Sequence, residues 1–239
     1  MRAMAGKVIT VGVTGASGAL CARTLVRMLD ADRHVERVHF VVTPSGMRVL
    51  TDELGIRAPE PRQLPALLAG SSAAKFRAHL NNDIGASIAS GSYRMDGMVV
   101  LPCSVGTLGR IANGLADDLV GRAADVCLKE GRRLVLCVRE TPLSRIHLEN
   151  MLRAQAAGAV VMPVIPAFYA GAKTIEDLVT QYVCRVLEHL DLPQDGQFRW
   201  QGQAEMAAAR RLEIAAPSAR SPRGRRWRRG RSGEPALGE

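Results

Sequence analysis

The stretch that decides the fold is Met98-Val99-Val100-Leu101-Pro102-Cys103-Ser104-Val105-Gly106-Thr107-Leu108. Its first four residues are apolar without alternation, which is typical of a strand buried on both faces of a parallel sheet. The small polar residues that follow therefore lie at the carboxyl end of this strand, where open α/β sheets bind ligands. The same pattern occurs where Thr14-Gly15-Ala16-Ser17-Gly18 follows the apolar run 8–13. Two such loops indicate a ligand that carries phosphate.

Strand-like and helix-like segments alternate along the rest of the chain. The predicted strands are 8–13, 38–42, 98–101, 134–138 and 159–162, and the predicted helices are 19–29, 47–53, 67–80, 108–113, 117–130, 143–157 and 175–190. Pro142 is placed near the first turn of its helix, residues 55–65 are predicted to form a loop, and residues 81–94 are predicted to be irregular. Strands separated by helices indicate an α/β fold: a doubly wound, mostly parallel sheet of the Rossmann or flavodoxin-like type in a single domain.

Composition sets the class of protein. With 239 residues, 47% hydrophobic and 23% charged, the chain can bury one substantial core. No apolar run reaches the roughly 18 to 20 residues of a membrane span, and the amino-terminal apolar segment fits a first strand better than a signal peptide, so we expect a cytoplasmic protein without a membrane partner. The five cysteines lack C-x-x-C spacing and fit reduced thiols, and the scattered histidines predict no metal site.

The net charge of +9 is concentrated at the carboxyl end of the chain. Residues 201–239 hold nine arginines and four glutamates, so they carry +5 of that charge. Between 217 and 233 the composition is mostly Arg, Ser, Gly and Pro, which cannot bury enough apolar surface to order a chain. We therefore predict one domain over 1–200 and a disordered, Arg-rich tail over 201–239. Contact of this tail with RNA or an acidic partner is the less favoured alternative.

The strand ends discriminate between phosphate-bearing ligands. A dinucleotide site requires G-x-G-x-x-G after the first strand and an acidic residue at the end of the second. The segment 12–18 lacks the full fingerprint, and the second strand ends in Thr43-Pro44-Ser45, whose hydroxyls suit a phosphate or a flavin edge. FMN therefore fits better than NAD. Taken alone, the glycine turn is also compatible with a tight strand-to-helix connection that binds no ligand.

Basic residues form a second candidate set. Arg122 and Lys129 are seven positions apart on one predicted helix and therefore share a face, and Arg139 stands at a strand end beside Glu140. If these cations converge, they form an anion cradle. The alternatives are an exposed helix face for Arg122 and Lys129, and a local ion pair with a carboxylate near a helix start for Arg139 and Glu140.

Taken together and in order, these segments resemble the flavin prenyltransferase family, the UbiX-like group. The resemblance runs from about Lys7 to Trp200. The matching segments are Thr-Gly-Ala-Ser-Gly at 14–18, Ala-Ser-Gly-Ser at 89–92, Pro-Cys-Ser-x-Gly-Thr-Leu at 102–108, Arg-Ala-Ala-Asp-Val at 122–126, Leu-Lys-Glu at 128–130, Arg-Glu-Thr-Pro-Leu at 139–143, His-Leu-Glu-Asn-Met at 147–151 and Pro-Ala-Phe-Tyr at 166–169.

The resemblance implies a metal-independent transferase that joins a dimethylallyl group from dimethylallyl phosphate to N5 and C6 of reduced FMN. The product is the prenylated FMN that UbiD-type decarboxylases use, including in ubiquinone biosynthesis. By position, the FMN-binding residues are Gly15, Ala16, Ser17, Thr43, Ser104, Val105, Gly106, Thr107 and Arg139. The residues for the substrate phosphate are Arg122, Lys129, Arg139, Tyr169 and Arg185. The catalytic residues are Glu140, Lys129, Glu53 and Ser17, with Glu140 and Glu53 as the proton-handling carboxylates.

The expected chemistry explains these residue types. Breaking the allylic carbon–oxygen bond leaves a phosphate dianion, which Arg and Lys stabilise. Ring closure at C6 releases a proton to a carboxylate or to the departing phosphate, and Glu140 is the favoured base. The segment 117–121 is not the D-D-x-x-D motif with which isoprenoid synthases hold magnesium on a diphosphate, so a metal-free monophosphate donor is expected.

Other functions and the assembly remain open at this point. The runner-up is an FMN-dependent cysteine decarboxylase of the same fold, although no Pro-Ala-Ser-Ala-Asn-Thr-like segment occurs in this chain. A non-catalytic flavin carrier or a nucleic-acid binder acting through the Arg-rich tail is a third alternative. The resemblance further implies a trimer-based homo-oligomer, up to a dodecamer, with the substrate pocket at subunit contacts, so that Tyr169 and Arg185 act across an interface.

Overall fold

A computed structural model describes residues 6–58, 60–200 and 202. The strands are β1 (Lys7–Val13), β2 (Val35–Val42), β3 (Phe76–Leu80), β4 (Gly97–Cys103), β5 (Arg133–Val138) and β6 (Val160–Val161). The helices are α1 (Ala19–Ala31), α2 (Pro44–Leu54), α3 (Leu64–Ala69), α4 (Val105–Ala112), α5 (Leu119–Lys129), α6 (Arg145–Ala156) and α7 (Ile175–Glu188). The disorder predicted for the tail lies outside the described residues.

The sheet is parallel throughout, with the strand order β3-β2-β1-β4-β5-β6. The chain builds outward from β1 to β3 and then returns to the other side of β1 with β4. The doubly wound fold predicted from the sequence is confirmed. Because the direction of winding reverses between β1 and β4, the carboxyl ends of these two strands flank the crevice in which folds of this kind bind ligands.

Helices cover both faces of the sheet and divide the core in two. On one face, α1, α3 and α7 bury residues such as Leu25, Leu68 and Val183 against the strands. On the other face, α4 and α5 bury Leu108 and Val126. The central strand β4 is buried along its whole length, as its unalternating apolar sequence predicts. No helix in the described ranges is both long and apolar enough to cross a membrane.

The helix predicted for 67–80 is wrong, because this segment contains an end of a helix and an edge strand. Helix α3 ends at Ala69, and its C-cap residue Gly70 has a left-handed φ of 72°, which favours glycine. Residues Phe76–Leu80 then pair with β2 as β3. Within this strand only His79 is buried, and Arg77 and Leu80 are exposed, as fits a short strand at the edge of the sheet. The hydrogen bonds to β2 thus outweigh the local helix signal.

The other predicted elements are present with shifted ends. Helix α6 begins at Arg145, later than predicted, because Ser144 accepts a hydrogen bond from the backbone N–H of His147 and caps it. Pro142 therefore lies before the helix and not in its first turn. The predicted loop 55–65 also contains a short 3-10 turn at Pro61–Gln63. The segment 81–94 is irregular as predicted, apart from a 3-10 turn at Ser87–Ala89.

Candidate active site

Backbone hydrogen bonds connect the carboxyl ends of four neighbouring strands. Thr43, after β2, donates its N–H to β1 at 3.0 Å, and Thr14, after β1, donates its N–H to β4 at 3.2 Å. Arg139, after β5, donates its N–H to β4 at 3.1 Å. The loops that follow these strands therefore emerge side by side. The strand-end site, as we call this region, consists of residues 14–18, 43, 53, 104–107 and 139.

The glycine turn after β1 packs tightly against the start of α2. A Cβ atom on Gly15 would lie 2.5 Å from both Cβ and Oγ of Ser45, so only glycine fits there. Ala16 is buried beside it. Gly18 has a φ of 130°, which side chains other than glycine's rarely allow, and it is the N-cap residue of α1. Close packing thus explains these small residues without reference to a ligand.

An anionic side chain already occupies the amino terminus of α1. Gly18 has no side chain with which to cap the helix, and the carboxylate of Glu53 on α2 accepts from the N–H groups of Gly18 at 3.0 Å and Ala19 at 2.8 Å. Burial alone would raise the pKa of Glu53. Hydrogen bonds from the Ser17 side chain and these two amides, with the charge of Arg139, lower this pKa below its ordinary value. Glu53 is therefore ionised at neutral pH and holds Ser17.

The loop after β4 leaves hydrogen-bond donors open. Ser104 caps α4, because its hydroxyl accepts from the N–H of Thr107 at 3.3 Å and lies 3.0 Å from the Thr107 hydroxyl. Within the described residues, the N–H groups of Val105 and Gly106 have no protein acceptor. A Cβ atom on Gly106 would meet nothing within 4 Å. The first turn of α4 therefore presents two amides beside open space.

Arg139 adds a partly buried cation at the carboxyl ends of these strands. Its Nε atom is buried and has no hydrogen-bond partner in the described part of the chain. A buried donor of this kind is costly unless an acceptor is supplied, which indicates that a bound ligand provides one. Glu140, the next residue, is exposed, and its carboxylate accepts from the N–H of Thr141 at 2.9 Å. Thr43 is buried and uses its hydroxyl to accept from Gly46 at 3.0 Å.

The predicted helix-borne cations share one face of α5. Arg122 donates through Nε to the carbonyl of Ala89 at 3.1 Å and pairs with Asp125 at 2.8 Å. The ammonium group of Lys129 is exposed and pairs with Glu130 at 2.9 Å. Both side chains border the segment 89–92, which carries one of the family's motifs. We call Arg122 and Lys129 with this segment the α5 cation face.

This face does not reach the strand-end site within one chain. Helix α5 begins beside the carboxyl end of β3, where Leu119 donates its N–H to the carbonyl of Asn81 at 2.8 Å. Its eleven residues span about 16 Å. Lys129 therefore lies near the amino end of β5, and Arg139 lies past the carboxyl end of the same strand. A single chain does not bring Lys129 and Arg139 together in the cradle expected from the sequence.

Tyr169 and Arg185 occupy a third place. They line a cavity of about 190 Å³ between the 3-10 turn Phe168–Ala170 and α7. The rings of Tyr169 and Phe198 are 5.5 Å apart, and the guanidinium of Arg185 pairs with Glu188. The predicted phosphate-binding residues are thus distributed over three regions of one chain.

Two polar features of the structure had no role assigned from the sequence. Thr14 is fully buried and bonds to the loop after β4. His39, inside the apolar strand β2, lies 2.8 Å from His79 and 2.9 Å from the hydroxyl of Tyr93. In each case, the sequence signal that could have identified the residue is a polar side chain inside or directly after an apolar strand. Such side chains are buried and need hydrogen-bond partners.

The thiols and possible metal ligands of the described residues are also placed. All five cysteines are free and buried. Burial raises the pKa of the Cys103 thiol far above its ordinary value, which fits a packed thiol and not a nucleophile. Within the described ranges, no three His, Cys, Asp or Glu side chains come together as metal ligands.

The class of protein is a flavoprotein, shown by its family, and the switch-point crevice with its open amides is the corresponding candidate site. Residues 1–187 match the Flavoprotein family. More specifically, the chain belongs to the UbiX family of flavin prenyltransferases. It is 44% identical over 200 residues to the flavin prenyltransferase UbiX of Salmonella typhimurium, covering 82% of this chain and 99% of that protein. It is 41% identical over 193 residues to UbiX of Halalkalibacterium halodurans, covering 81% and 93%.

Solved structures give the same result. The chain is similar to AnUbiX in complex with FMN and dimethylallyl pyrophosphate, with a TM-score of 0.73 and 42% identity over 83% of this chain and 99% of that one. It is also similar to a dodecameric FMN-dependent UbiX-like decarboxylase from Escherichia coli, with a TM-score of 0.72 and 43% identity over 82% and 100%. The cysteine decarboxylase TvaF is only 16% identical with a TM-score of 0.51, which shows the shared fold alone.

Proposed function

We propose that this protein is a flavin prenyltransferase that transfers the dimethylallyl group of dimethylallyl phosphate to N5 and C6 of reduced FMN. The observation that carries this proposal is the buried Nε atom of the partly buried Arg139, which lacks an acceptor in the described residues, together with the open amides of α4 at the switch point. A ligand with an anionic group and hydrogen-bond acceptors fits that crevice. Membership of the UbiX family supports FMN as this ligand.

The strand-end site is proposed to hold FMN. The amides of Val105 and Gly106 and the buried Nε of Arg139 supply donors, and the open space over Gly106 allows a close approach. The remaining proposed FMN-binding residues are Gly15, Ala16, Ser17, Thr43, Ser104 and Thr107. Because Glu53 already takes the amides of α1, we assign the anion-binding role to the start of α4 and to Arg139, and not to the start of α1.

The proposed cations act on the leaving group. Reduced FMN supplies the two nucleophilic atoms, N5 and C6. The bond between the allylic carbon and the phosphate oxygen breaks, and its electron pair leaves with the phosphate. Fixed positive charges stabilise this growing negative charge more in the transition state than in the bound substrate. The cations proposed for this role are Arg122, Lys129, Arg139 and Arg185, and Tyr169 is proposed to donate a hydrogen bond to the same phosphate.

The two carboxylates are proposed to have different roles. For ring closure, the alkene of the N5-bound prenyl group takes up a proton, equivalent to the one that N5 releases on alkylation, and its tertiary carbon bonds to C6. C6 then loses its own proton, for which the exposed Glu140 is the proposed acceptor, with the departing phosphate as the other. Glu53 is ionised and bonded to α1 and Ser17, so its proposed contribution is to orient the Ser17 hydroxyl and to keep negative charge next to Arg139. Ser17 and Lys129 complete the proposed catalytic set.

A homo-oligomer is proposed to assemble these residues. The α5 cation face is distant from the strand-end site in one chain, so a neighbouring copy must supply Lys129. The exposed face of α6 supports such a contact. Of its twelve residues, Ala154 alone is buried, and Leu148 and Leu152, one turn apart, are 52% and 67% exposed. A molar mass of one chain by light scattering would contradict this assembly, for which the dodecameric relative is the precedent.

The wider setting is part of the same proposal. The product, prenylated FMN, is proposed to pass to a UbiD-type decarboxylase, including in ubiquinone biosynthesis. A cytoplasmic location is supported by the five free cysteines, which suit a reducing compartment.

Incubation of the protein with reduced FMN and dimethylallyl phosphate under anaerobic conditions tests the function. We expect a flavin product whose mass is increased by one prenyl unit, and the diphosphate as a second donor identifies the preferred leaving group. Glu140→Gln is expected to slow ring closure at C6, and Lys129→Ala is expected to slow the loss of phosphate. Absence of the product with both donors contradicts the proposal, and decarboxylation of a cysteine-terminated peptide instead would identify the alternative enzyme.

A further inference from the structure

We propose that Thr14 is a positioning residue that aligns the amides of α4 for the flavin. This inference rests on the proposed function. Thr14 is fully buried at the end of β1 and is next to Gly15 in the glycine turn. Its side chain bonds to Pro102, near the end of β4, and to Ser104, directly after β4. Strand β4 is the neighbour of β1 across the switch point. It touches neither of the two open amides, so its action on a ligand is indirect.

The hydroxyl of Thr14 adds a side-chain connection between β1 and β4 where their regular pairing has ended. The regular pairing of β1 with β4 ends at Gly12 and Val100. Beyond that point, Pro102 lacks an N–H and cannot donate to a neighbouring strand. Thr14 donates its hydroxyl to the carbonyl of Pro102 at 2.9 Å, in addition to its N–H at 3.2 Å. A side chain therefore holds the two strands together where the ladder has ended.

The same hydroxyl also accepts a hydrogen bond, and this bond determines the start of α4. The N–H of Ser104 donates to Thr14 Oγ1 at 2.8 Å. Ser104 is the N-cap residue of α4, and its own hydroxyl accepts from Thr107. Thr14 thus holds the backbone of the residue that begins the helix. The first free amides of α4, those of Val105 and Gly106, follow directly in the chain.

The hydroxyl of Thr14 acts both as donor, to Pro102, and as acceptor, from Ser104. A side chain without a hydroxyl can replace neither hydrogen bond. Valine has nearly the same shape as threonine but would leave the carbonyl of Pro102 with one donor fewer and the N–H of Ser104 without an acceptor. The loop would then shift to find other partners, and the amides of α4 would move with it. Serine retains the hydroxyl and should retain the alignment.

The experiment compares FMN affinity in three variants of the full-length protein. Thr14→Val is expected to weaken FMN binding at least about 10-fold, whereas Thr14→Ser stays within about 3-fold of the unchanged protein. Thr10→Val is the matched control, because Thr10 is also fully buried in β1 but bonds to Met95, away from the loops. Thr10→Val should leave FMN affinity unchanged. Equal affinity in Thr14→Val and the unchanged protein overturns the inference.

A second measurement keeps the test valid if Thr14→Val does not fold. In the unchanged, ligand-free protein, hydrogen exchange at the Ser104 amide should be as slow as in the middle of β1, because Thr14 holds it. Fast exchange there overturns the inference. Failure of the unchanged protein to bind FMN would instead contradict the proposed function and leave the exchange result standing, so the two failures are distinguishable.

Discussion

The strand-end site and the α5 cation face carry the proposed chemistry in contrasting ways. Apart from Glu53 and Arg139, the strand-end site consists of backbone amides and short side chains, and it is fixed by the buried hydrogen bond of Thr14 and the partly buried one of Glu53. The α5 cation face consists of long side chains at the surface, held by ion pairs with Asp125 and Glu130. Surface ion pairs of this kind contribute little to stability. One region is therefore rigid and specified by its own fold, while the other is available to a partner.

The largest effect is expected from crowding the rigid region. In Gly46→Ala, the new Cβ atom would lie 2.6 Å from the carbonyl oxygen of Val13, which is backbone and cannot move away. We expect a loss of about 3 kcal/mol in the free energy of unfolding, measured by urea denaturation.

Gly106→Ala is the matched control for that substitution. Its Cβ atom would meet nothing within 4 Å, and alanine favours a helix, so stability should be unchanged or increased. FMN affinity should nevertheless fall about 10-fold, because the methyl group fills the space next to the open amides. Unchanged FMN affinity in Gly106→Ala would separate this loop from the flavin site.

Acid is expected to lower the free energy of unfolding through His39, which lies on the side of the molecule that carries the α5 cation face. His39 bonds to Tyr93, which follows the segment 89–92, and it faces His79, Arg37 and Arg77. Burial first, and then the charges of His79, Arg37 and Arg77, lower the pKa of His39 to about 4. The unfolded chain protonates this histidine near pH ~6.5, so it binds more protons than the folded protein between these two values. Stability therefore falls as the pH falls through this window.

The expected loss is about 2 kcal/mol at pH 5 relative to pH 7.5. His39→Gln should remove part of this pH dependence in urea denaturation, because burial and Arg77 also lower the pKa of His79, which contributes in the same direction. His189→Gln, at the partly exposed end of α7, should retain all of it. Glu53 has a lowered pKa, so its contribution is present above its unfolded pKa of about 4.3 and is lost only at lower pH. A pH-independent stability between 7.5 and 5 would contradict the buried neutral His39.

The smallest effect concerns the sharing of a site between copies. Lys129→Ala and Arg139→Gln should each be nearly inactive. If Lys129 and Arg139 come from different copies, equal mixing of the two variants under conditions of subunit exchange should restore about a quarter of the activity. A mixture of Lys129→Ala with Arg122→Ala is the control, since no copy in it carries a complete α5 cation face. No recovery in the first mixture would place the whole site on one chain.

The sequence predicted the strands and loops of the strand-end site, but it did not predict β3, the strand at the edge of the sheet. Apolar runs without alternation mark buried strands, so β1, β4 and β5 and the loops after them could be located from local pattern. Strand β3 was missed because it lies at the edge of the sheet and is extended only because it pairs with β2. Its own residues carry no strand pattern from which this pairing could be predicted. The start of α6 was placed early because a cap depends on a hydrogen bond between Ser144 and His147.

By itself, the sequence determined the mostly parallel sheet, the loops at the strand ends and the family. These depend on local periodicity and on segments that can be matched in order. Only the tertiary structure decided that Glu53 caps α1 and that Thr14 bonds to β4. It also placed Lys129 near the amino end of β5 and Arg139 past the carboxyl end of the same strand. The spacing of Arg122 and Lys129 specifies a shared helix face. What that face meets depends on how the helix packs, which is a non-local property.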